Sequence, residues 1–296
     1  MQPPDSFVLD RRAVRAAFDR ASATYDAACA LQTRVRAELL SRLDLIRLAP
    51  TVVMDLGCGT GQGARGLKER YRGATVIALD PAPGMLREAR RRSGWLRPLQ
   101  RVCGDVMQLP FQDGVVDLMF SNLMLQWCDD LDTALREIRR VLAPEGFFAF
   151  STFGPDTLRE LRNAWAAADG GSHVSGFRDM HDIGDALTRA GLAEPVMDVE
   201  RLTLFYPDVA AITRDLKVIG AHNATAARAR GLTGKGRWRA MTATYETQRL
   251  ADGLPATYEV VYGAAWGARG RPAAPVVHGE VRIPANAIRM GRRRES

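Results

Sequence analysis

Val52-Val53-Met54-Asp55-Leu56-Gly57-Cys58-Gly59-Thr60-Gly61 decides the fold. An apolar run that stops at glycine reads as a buried strand, and the segment after it, Gly61 to Tyr71, reads as a helix. Glycines at such a turn let the backbone approach a ligand closely, and the helix N-terminus offers free N–H groups. The spacing is D-x-G-x-G-x-G. The nicotinamide fingerprint G-x-G-x-x-G needs glycine where Gln62 stands, which disfavours that ligand. Asp55 ahead of the glycines suits a ligand with a positively charged end and would repel a pyrophosphate.

Working outward, Thr75 to Pro81, Leu99 to Asp105 and Val115 to Asn122 read as three more strands. Pro83 to Arg92 reads as a helix with proline at its start. Leu131 to Leu142 carries Leu131, Ala134, Leu135, Ile138, Val141 and Leu142 on one face and reads as an amphipathic helix. Pro144-Glu145-Gly146 turns into a fifth strand, Phe147 to Phe153. Strands alternating with helices predict a doubly wound, mostly parallel α/β sheet. Helices are expected over 13–48, then at Asp156 to Ala168, His181 to Ala190, Asp208 to Ala221 and Thr233 to Leu250; further strands are expected at Pro195 to Phe205 and Thr257 to Trp266. The expected organisation is a helical lid over 1–48, a sheet region over 49–267 with a helical insertion at 207–253, and a basic, disordered tail over 268–296.

The chain has 296 residues, 46% hydrophobic and 25% charged, which is ordinary globular composition and excludes a disordered chain or a coiled coil over most of its length. It has no apolar run of membrane-spanning length. Met1 to Arg12 has no apolar core, so no secretory signal is expected. Cys29, Cys58, Cys103 and Cys128 form no C-x-x-C pair, which suits a reduced cytoplasmic protein and argues against a disulfide framework or zinc site. The histidines show no metal-ligand spacing either, so no metal is expected. The net charge of +7 is uneven: residues 201–250 hold nine basic side chains against three acidic, and 265–296 hold seven against two. Only Lys68, Lys217 and Lys235 are lysines. Arginine abundance then reflects compositional bias as much as partners, yet a localised basic surface favours an acidic partner.

Asp80 ends the second strand, where a carboxylate can accept hydrogen bonds from both hydroxyls of a ribose. Gly104-Asp105 ends the third strand, where an acid can accept from an adenine amino group. Ser121-Asn122-Leu123 ends the fourth. All lie at the carboxyl ends of strands, where open α/β sheets bind ligands. In this order the constellation resembles the class I S-adenosylmethionine-dependent methyltransferases. The resemblance implies a Rossmann-like seven-stranded sheet, with Gly57 and Gly59 beside the methionine part of S-adenosyl-L-methionine, Asp80 at the ribose, and Asp105 with Val106 at the adenine. The candidate cofactor set is Asp55, Gly57, Cys58, Gly59, Gly61, Asp80, Pro81, Met85, Asp105, Val106 and Asn122. Asn122-Leu123-Met124-Leu125 is not the N/D-P-P-[YFW] of amide and base N-methyltransferases, and no Pro-Cys nucleophile follows. Trp127 is placed to wall the pocket.

A narrower likeness lies in Gly154-Pro155-Asp156-Thr157-Leu158-Arg159-Glu160-Leu161, Phe177-Arg178-Asp179-Met180-His181-Asp182-Ile183-Gly184-Asp185, Asp215-Leu216-Lys217-Val218-Ile219-Gly220-Ala221-His222-Asn223 and Leu254-Pro255-Ala256-Thr257-Tyr258-Glu259-Val260-Val261-Tyr262-Gly263. With Phe18, Ala21, Tyr25, Asp26 and Gln32, these resemble the BioC family, the malonyl-[acyl-carrier protein] O-methyltransferases of biotin synthesis. The likeness covers about 10–267; Ala264 stands where the family pattern has histidine, and the basic tail is extra. It implies methyl transfer to the free carboxylate of a malonyl thioester, carried by acyl carrier protein or by coenzyme A, with neither nucleic acid nor membrane as partner. A malonyl carboxylate is ionised at neutral pH, so no general base and no catalytic residue in that sense is expected; Tyr25 is the candidate for closing the pocket. The alternatives are a similar assembly factor that hydroxylates a protein arginine, a methyltransferase on another small carboxylic acid, and a cofactor-binding interaction module. The sixth strand should end at the cofactor edge, so the insertion is expected at the active-site mouth, its basic cluster (Arg214, Lys217, Arg228, Arg230, Lys235, Arg237, Arg239) guiding an acidic carrier.

Overall fold

The computed structural model describes residues 9–94, 98–168, 176–218 and 234–267. The tail and the basic residues Arg228 and Arg230 lie outside these. Three helices open the chain: α1 (Arg11–Ala21), α2 (Tyr25–Ala28) and α3 (Ala30–Arg42). Then β1 (Val52–Leu56), α4 (Gln62–Arg70), β2 (Thr75–Asp80), α5 (Pro83–Arg92), β3 (Gln100–Cys103) and β4 (Val116–Asn122) alternate. They are followed by α6 (Leu131–Val141), β5 (Leu142–Phe153), α7 (Arg159–Ala168), α8 (Met180–Arg189), β6 (Leu192–Tyr206), α9 (Val209–Val218), α10 (Lys235–Glu246) and β7 (Leu254–Gly267).

The strands form one seven-stranded sheet in the order β3-β2-β1-β4-β5-β7-β6. β1 to β5 are parallel, and β7 enters antiparallel between β5 and β6. Alternate residues of β1 serve opposite faces, as the pleat requires. Val53 packs with Val35, Leu39 and Leu67 of α3 and α4, and that same core takes in Trp165 of α7 and Tyr245 of α10. Met54 and Leu56 pack with Leu135 and Ile138 of α6 and Leu187 of α8. The strand order reverses between β1 and β4, so the crevice for a ligand opens at the carboxyl ends of those strands.

The expected turn at Pro144-Glu145-Gly146 is an irregularity inside β5: the strand begins at Leu142, Glu145 has φ 62° and the register with β4 shifts between Val116 and Leu118. β6 and β7 are longer than their apolar runs indicated. Phe153, the last residue of β5, pairs with Val260, yet β6 and β7 stay paired to Tyr206 and Leu254, six register pairs further on. That ribbon extends about 20 Å past the end of β5.

The segments that carry the narrow sequence likeness hold this extension in place. Gly154 N donates to Glu259 O at 2.8 Å and Leu158 N to Thr257 O at 2.7 Å. Asp156 N donates to Glu259 Oε2 at 2.8 Å. Buried Glu160 accepts from Thr257 N at 3.0 Å and from Thr257 Oγ1 at 2.5 Å. Tyr245 of α10 donates from its hydroxyl to Pro255 O at 2.9 Å. Two stretches about a hundred residues apart in the chain thus form one hydrogen-bonded unit, and their residue types answer to each other. Ala264 pairs with Ala149 and Val196, level with Phe120 and two residues short of the carboxyl end of β4 at Asn122.

Candidate active site

A cavity of about 610 Å³ opens at the carboxyl ends of β1, β2, β3 and β4. Its volume lies in the usual range for a small-molecule site. Its floor is the loop after β1. Gly57 N and Cys58 N both donate to Leu79 O at 2.9 Å, which locks the loop to β2. Gly59 has φ 53° and its missing Cβ faces open space, so the backbone itself forms the surface there. Gly61 serves packing instead: at φ 81° its Cβ would stand 2.8 Å from the Cβ of Ala89, so glycine lets α4 lie against α5.

Asp80 closes β2 and is 7% exposed. Gly59 N donates to its Oδ2 at 2.9 Å and Ala82 N to its Oδ1 at 2.8 Å. Burial pushes the carboxyl up to about 6, against those two bonds. Asp55 lies under the loop, where the Ala64 N–H donates to it while Oδ2 has no partner; burial lifts this carboxyl further, to about 7. Cys58 is buried beside both acids, and desolvation first, then their charge, raises its thiol well above the ordinary value.

Of the sequence-derived set, the structure brings Gly57, Gly59, Asp80, Pro81, Met85, Asp105, Val106 and Asn122 to the cavity wall, together with Tyr25 and Trp127. Asp55, Cys58 and Gly61 are not part of that wall: the first supports the loop from beneath, the second is turned into the core, and the third packs two helices. The strand pattern could not separate these roles, because all three lie in the same ten residues.

The roof is α1 and α2, which fall within the stretch 1–48 expected to form a helical lid, Tyr25 among them. Phe18 meets Trp127 edge-on with ring centroids 5.2 Å apart, and Tyr25 lies 6.4 Å from Phe18. Burial raises the Tyr25 phenol, so it stays neutral. Three acid contacts pin the roof. Arg11 bonds Asp105, whose other oxygen accepts from Met107 N at 2.9 Å. Gly84 N donates to Asp19 Oδ1 at 2.5 Å. Asp26 accepts from Thr60 Oγ1 at 2.6 Å and forms an ion pair with Arg92 at 2.5 Å. Gln32, also in the wall, keeps its side-chain Oε1 buried without a partner.

Sequence reading missed Arg11, Arg12 and Arg15, which reach this cavity from α1. The available signal was their spacing: Arg11, Val14, Arg15 and Phe18 recur at three and four residues, one side of a helix. The described part of the insertion meets the roof rather than the wall, with α9 packed against α2. Its flanking strands do end at the cofactor edge, but none of its described residues lines the cavity. Arg214, Lys217, Lys235, Arg237 and Arg239 are exposed on α9 and α10 and are not among the residues that line the cavity.

Strand order, glycine loop, a carboxylate ending β2 and another after β3 together define a class I S-adenosylmethionine-dependent methyltransferase. Residues 54–150 match the family described as methyltransferase domain. The YcgJ protein of Bacillus subtilis superposes with a TM-score of 0.56 at 16% identity, covering 80% of this chain and 100% of that one, which establishes the fold. The malonyl-[acyl-carrier protein] O-methyltransferase of Laribacter hongkongensis is 52% identical over 276 residues, 90% of this chain and 93% of that protein. That of Halorhodospira halophila is 49% identical over 295 residues, 99% and 100% of the two chains. The chain belongs to the malonyl-[acyl-carrier protein] O-methyltransferase family.

The cavity suits this cofactor on its own chemistry. Acidic Asp80 and Asp105, an unpartnered Gln32 carbonyl and a bare Gly59 backbone offer acceptors and room to a ligand that carries an ammonium, a sulfonium and two ribose hydroxyls.

Proposed function

We propose that this protein methylates the free carboxylate of a malonyl thioester held on acyl carrier protein, giving a methyl ester that a chain-elongating system accepts as a primer. The observation that carries the reading is a family identity near one half over nearly the whole chain, joined to a cavity with the acceptors the cofactor needs. Bound S-adenosyl-L-methionine supplies an electrophilic methyl on a sulfonium; a C–O bond forms as the C–S bond breaks, and no proton has to move.

The residues then have positioning tasks. Asp80 accepts from the ribose hydroxyls, Asp105 and Val106 flank the adenine, and Gly57 and Gly59 bound the methionine part. Gln32 Oε1, buried and unpartnered, accepts from the cofactor ammonium. Asn122, held by Ser151 at 3.0 Å, stands between cofactor and substrate. Phe18, Tyr25 and Trp127 exclude water, which strips hydration from the attacking carboxylate and raises its reactivity. An ionised carboxylate needs no general base. The four cysteines are free thiols, in keeping with a reducing cytoplasm; among the described residues no helix is long and apolar enough to cross a membrane.

The test is incubation with methyl-labelled S-adenosylmethionine and malonyl-carrier protein, followed by intact mass. A gain of one methyl, lost on ester hydrolysis, is expected. An unmodified malonyl thioester refutes the proposal.

A further inference from the structure

Helix α1 brings three arginines to the cavity, and among the described residues two of them have no partner. Arg11 is committed to Asp105 and lies 4.0 Å from Asp129. Arg12 and Arg15 also line the cavity, are exposed, and among the described residues form no ion pair or hydrogen bond. The acids of their own helix are engaged elsewhere. Asp10 accepts from Ala13 N as the helix cap, and Asp19 accepts from Gly84 N with Arg87 3.9 Å away. Positions 12 and 15 are three apart, so their Cβ atoms lie about 5–6 Å from each other on one side of the helix. Two guanidinium forks at that spacing match the oxygens of one phosphate group.

The place of this pair in the site decides what it meets. Arg12 and Arg15 are exposed while Phe18, Trp127 and the glycine loop are half-buried, so the pair stands on the solvent side of the cavity, where a carboxylate placed for attack on the methyl at the glycine loop would not meet it. Direct pairing would also quench the nucleophile. The rim is where the far end of the carrier arm comes to rest, and that end is a phosphate ester. We propose that Arg12 and Arg15 bind the phosphodiester of the 4′-phosphopantetheine arm by which the carrier presents malonate. The described basic residues of α9 and α10 do not line the cavity, whereas Arg12 and Arg15 of the roof helix do. Through Arg11 and Phe18 the same helix closes over the cofactor, so arm binding and closure share one rigid element.

This inference rests on the proposed malonyl thioester activity, and its test separates the two. Methyl transfer is measured for malonyl-carrier protein, malonyl-coenzyme A and malonyl-pantetheine, which lacks the phosphate. Wild type is compared with the Arg12→Gln/Arg15→Gln variant, with thermal unfolding as a folding control. The expected result is a fall of roughly 10- to 100-fold in the kcat/KM preference for phosphate-bearing over phosphate-free thioester, from loss of charged hydrogen bonds. The loss falls on KM rather than kcat and shrinks as salt rises. Equal loss for all three thioesters, or no loss for any, overturns the phosphate assignment. A changed S-adenosylmethionine affinity would place the arginines on the cofactor and overturn it too. If wild type methylates none of the three, the functional reading falls and this inference falls with it.

Discussion

Asp80→Asn separates a carboxylate that serves the ligand from one that serves the fold. In the ligand-free protein the buried acid sits about two pH units above its ordinary 3.8, at about 6. At pH 7.5 its ionised form therefore costs about 3 kcal/mol relative to an unfolded chain. The asparagine has no charge to bury, which removes that cost. It keeps one acceptor and turns an NH₂ toward either Gly59 N or Ala82 N, losing one of two hydrogen bonds worth about 1.5–3 kcal/mol. These effects largely cancel, so the apo stability should rise by no more than about 1.5 kcal/mol. Cofactor binding gains nothing in return: the ribose loses a charged acceptor, and its affinity should fall about 10- to 100-fold. Asp80→Ala is a poorer test, because it strands both backbone donors and destabilises the loop after β1. The assay is calorimetric titration with S-adenosylmethionine beside denaturant unfolding of the free protein. A parallel loss of stability and affinity, or unchanged affinity, would refute the reasoning. The wild-type carboxyl also fixes a pH limb: as pH falls through about 6 Asp80 takes a proton, and cofactor affinity should weaken there in wild type but not in the asparagine variant.

Asp55, raised from 3.8 to about 7, contributes stability that is fully present below pH 4 and lost as pH rises through 7. Asp55→Asn should therefore raise unfolding stability by about 2–3 kcal/mol more at pH 8 than at pH 5; an equal gain at both pH values contradicts the burial argument. Glu160→Gln turns an amide toward the Thr257 N–H or hydroxyl and should cost about 2–4 kcal/mol in chemical denaturation with cofactor affinity per folded molecule preserved. Gly263→Ala places a Cβ 2.2 Å from Phe150 Cζ and should lower stability by about 1–3 kcal/mol or more, read as a depressed melting temperature. With cofactor saturating, kcat should stay nearly flat from about pH 6 to 9, since the nucleophile is ionised throughout; a bell centred near 7 would reveal a base.

The alternation of apolar runs with amphipathic helices was enough to read the sheet. The glycine loop with Asp80 and Asp105 was enough to read where the cavity opens, because a parallel sheet brings every strand's carboxyl end to one edge. That information is local, and each strand carries its own share. The tertiary structure decided what depends on contacts between distant segments. Asp55 and Asp80 look alike in sequence, yet one lies beneath the loop and the other in the wall. Glu160 and Glu259 read as members of a family pattern, and only pairing across about a hundred residues shows that they fasten the β6–β7 ribbon. The basic stretch with the larger charge excess drew attention to the insertion. Which arginines stand free at the entrance depends on how α1 lies across the sheet edge. Charge density along a chain fixes how many cations there are; the packing of a helix against Trp127 and Asp105 fixes which of them a substrate meets.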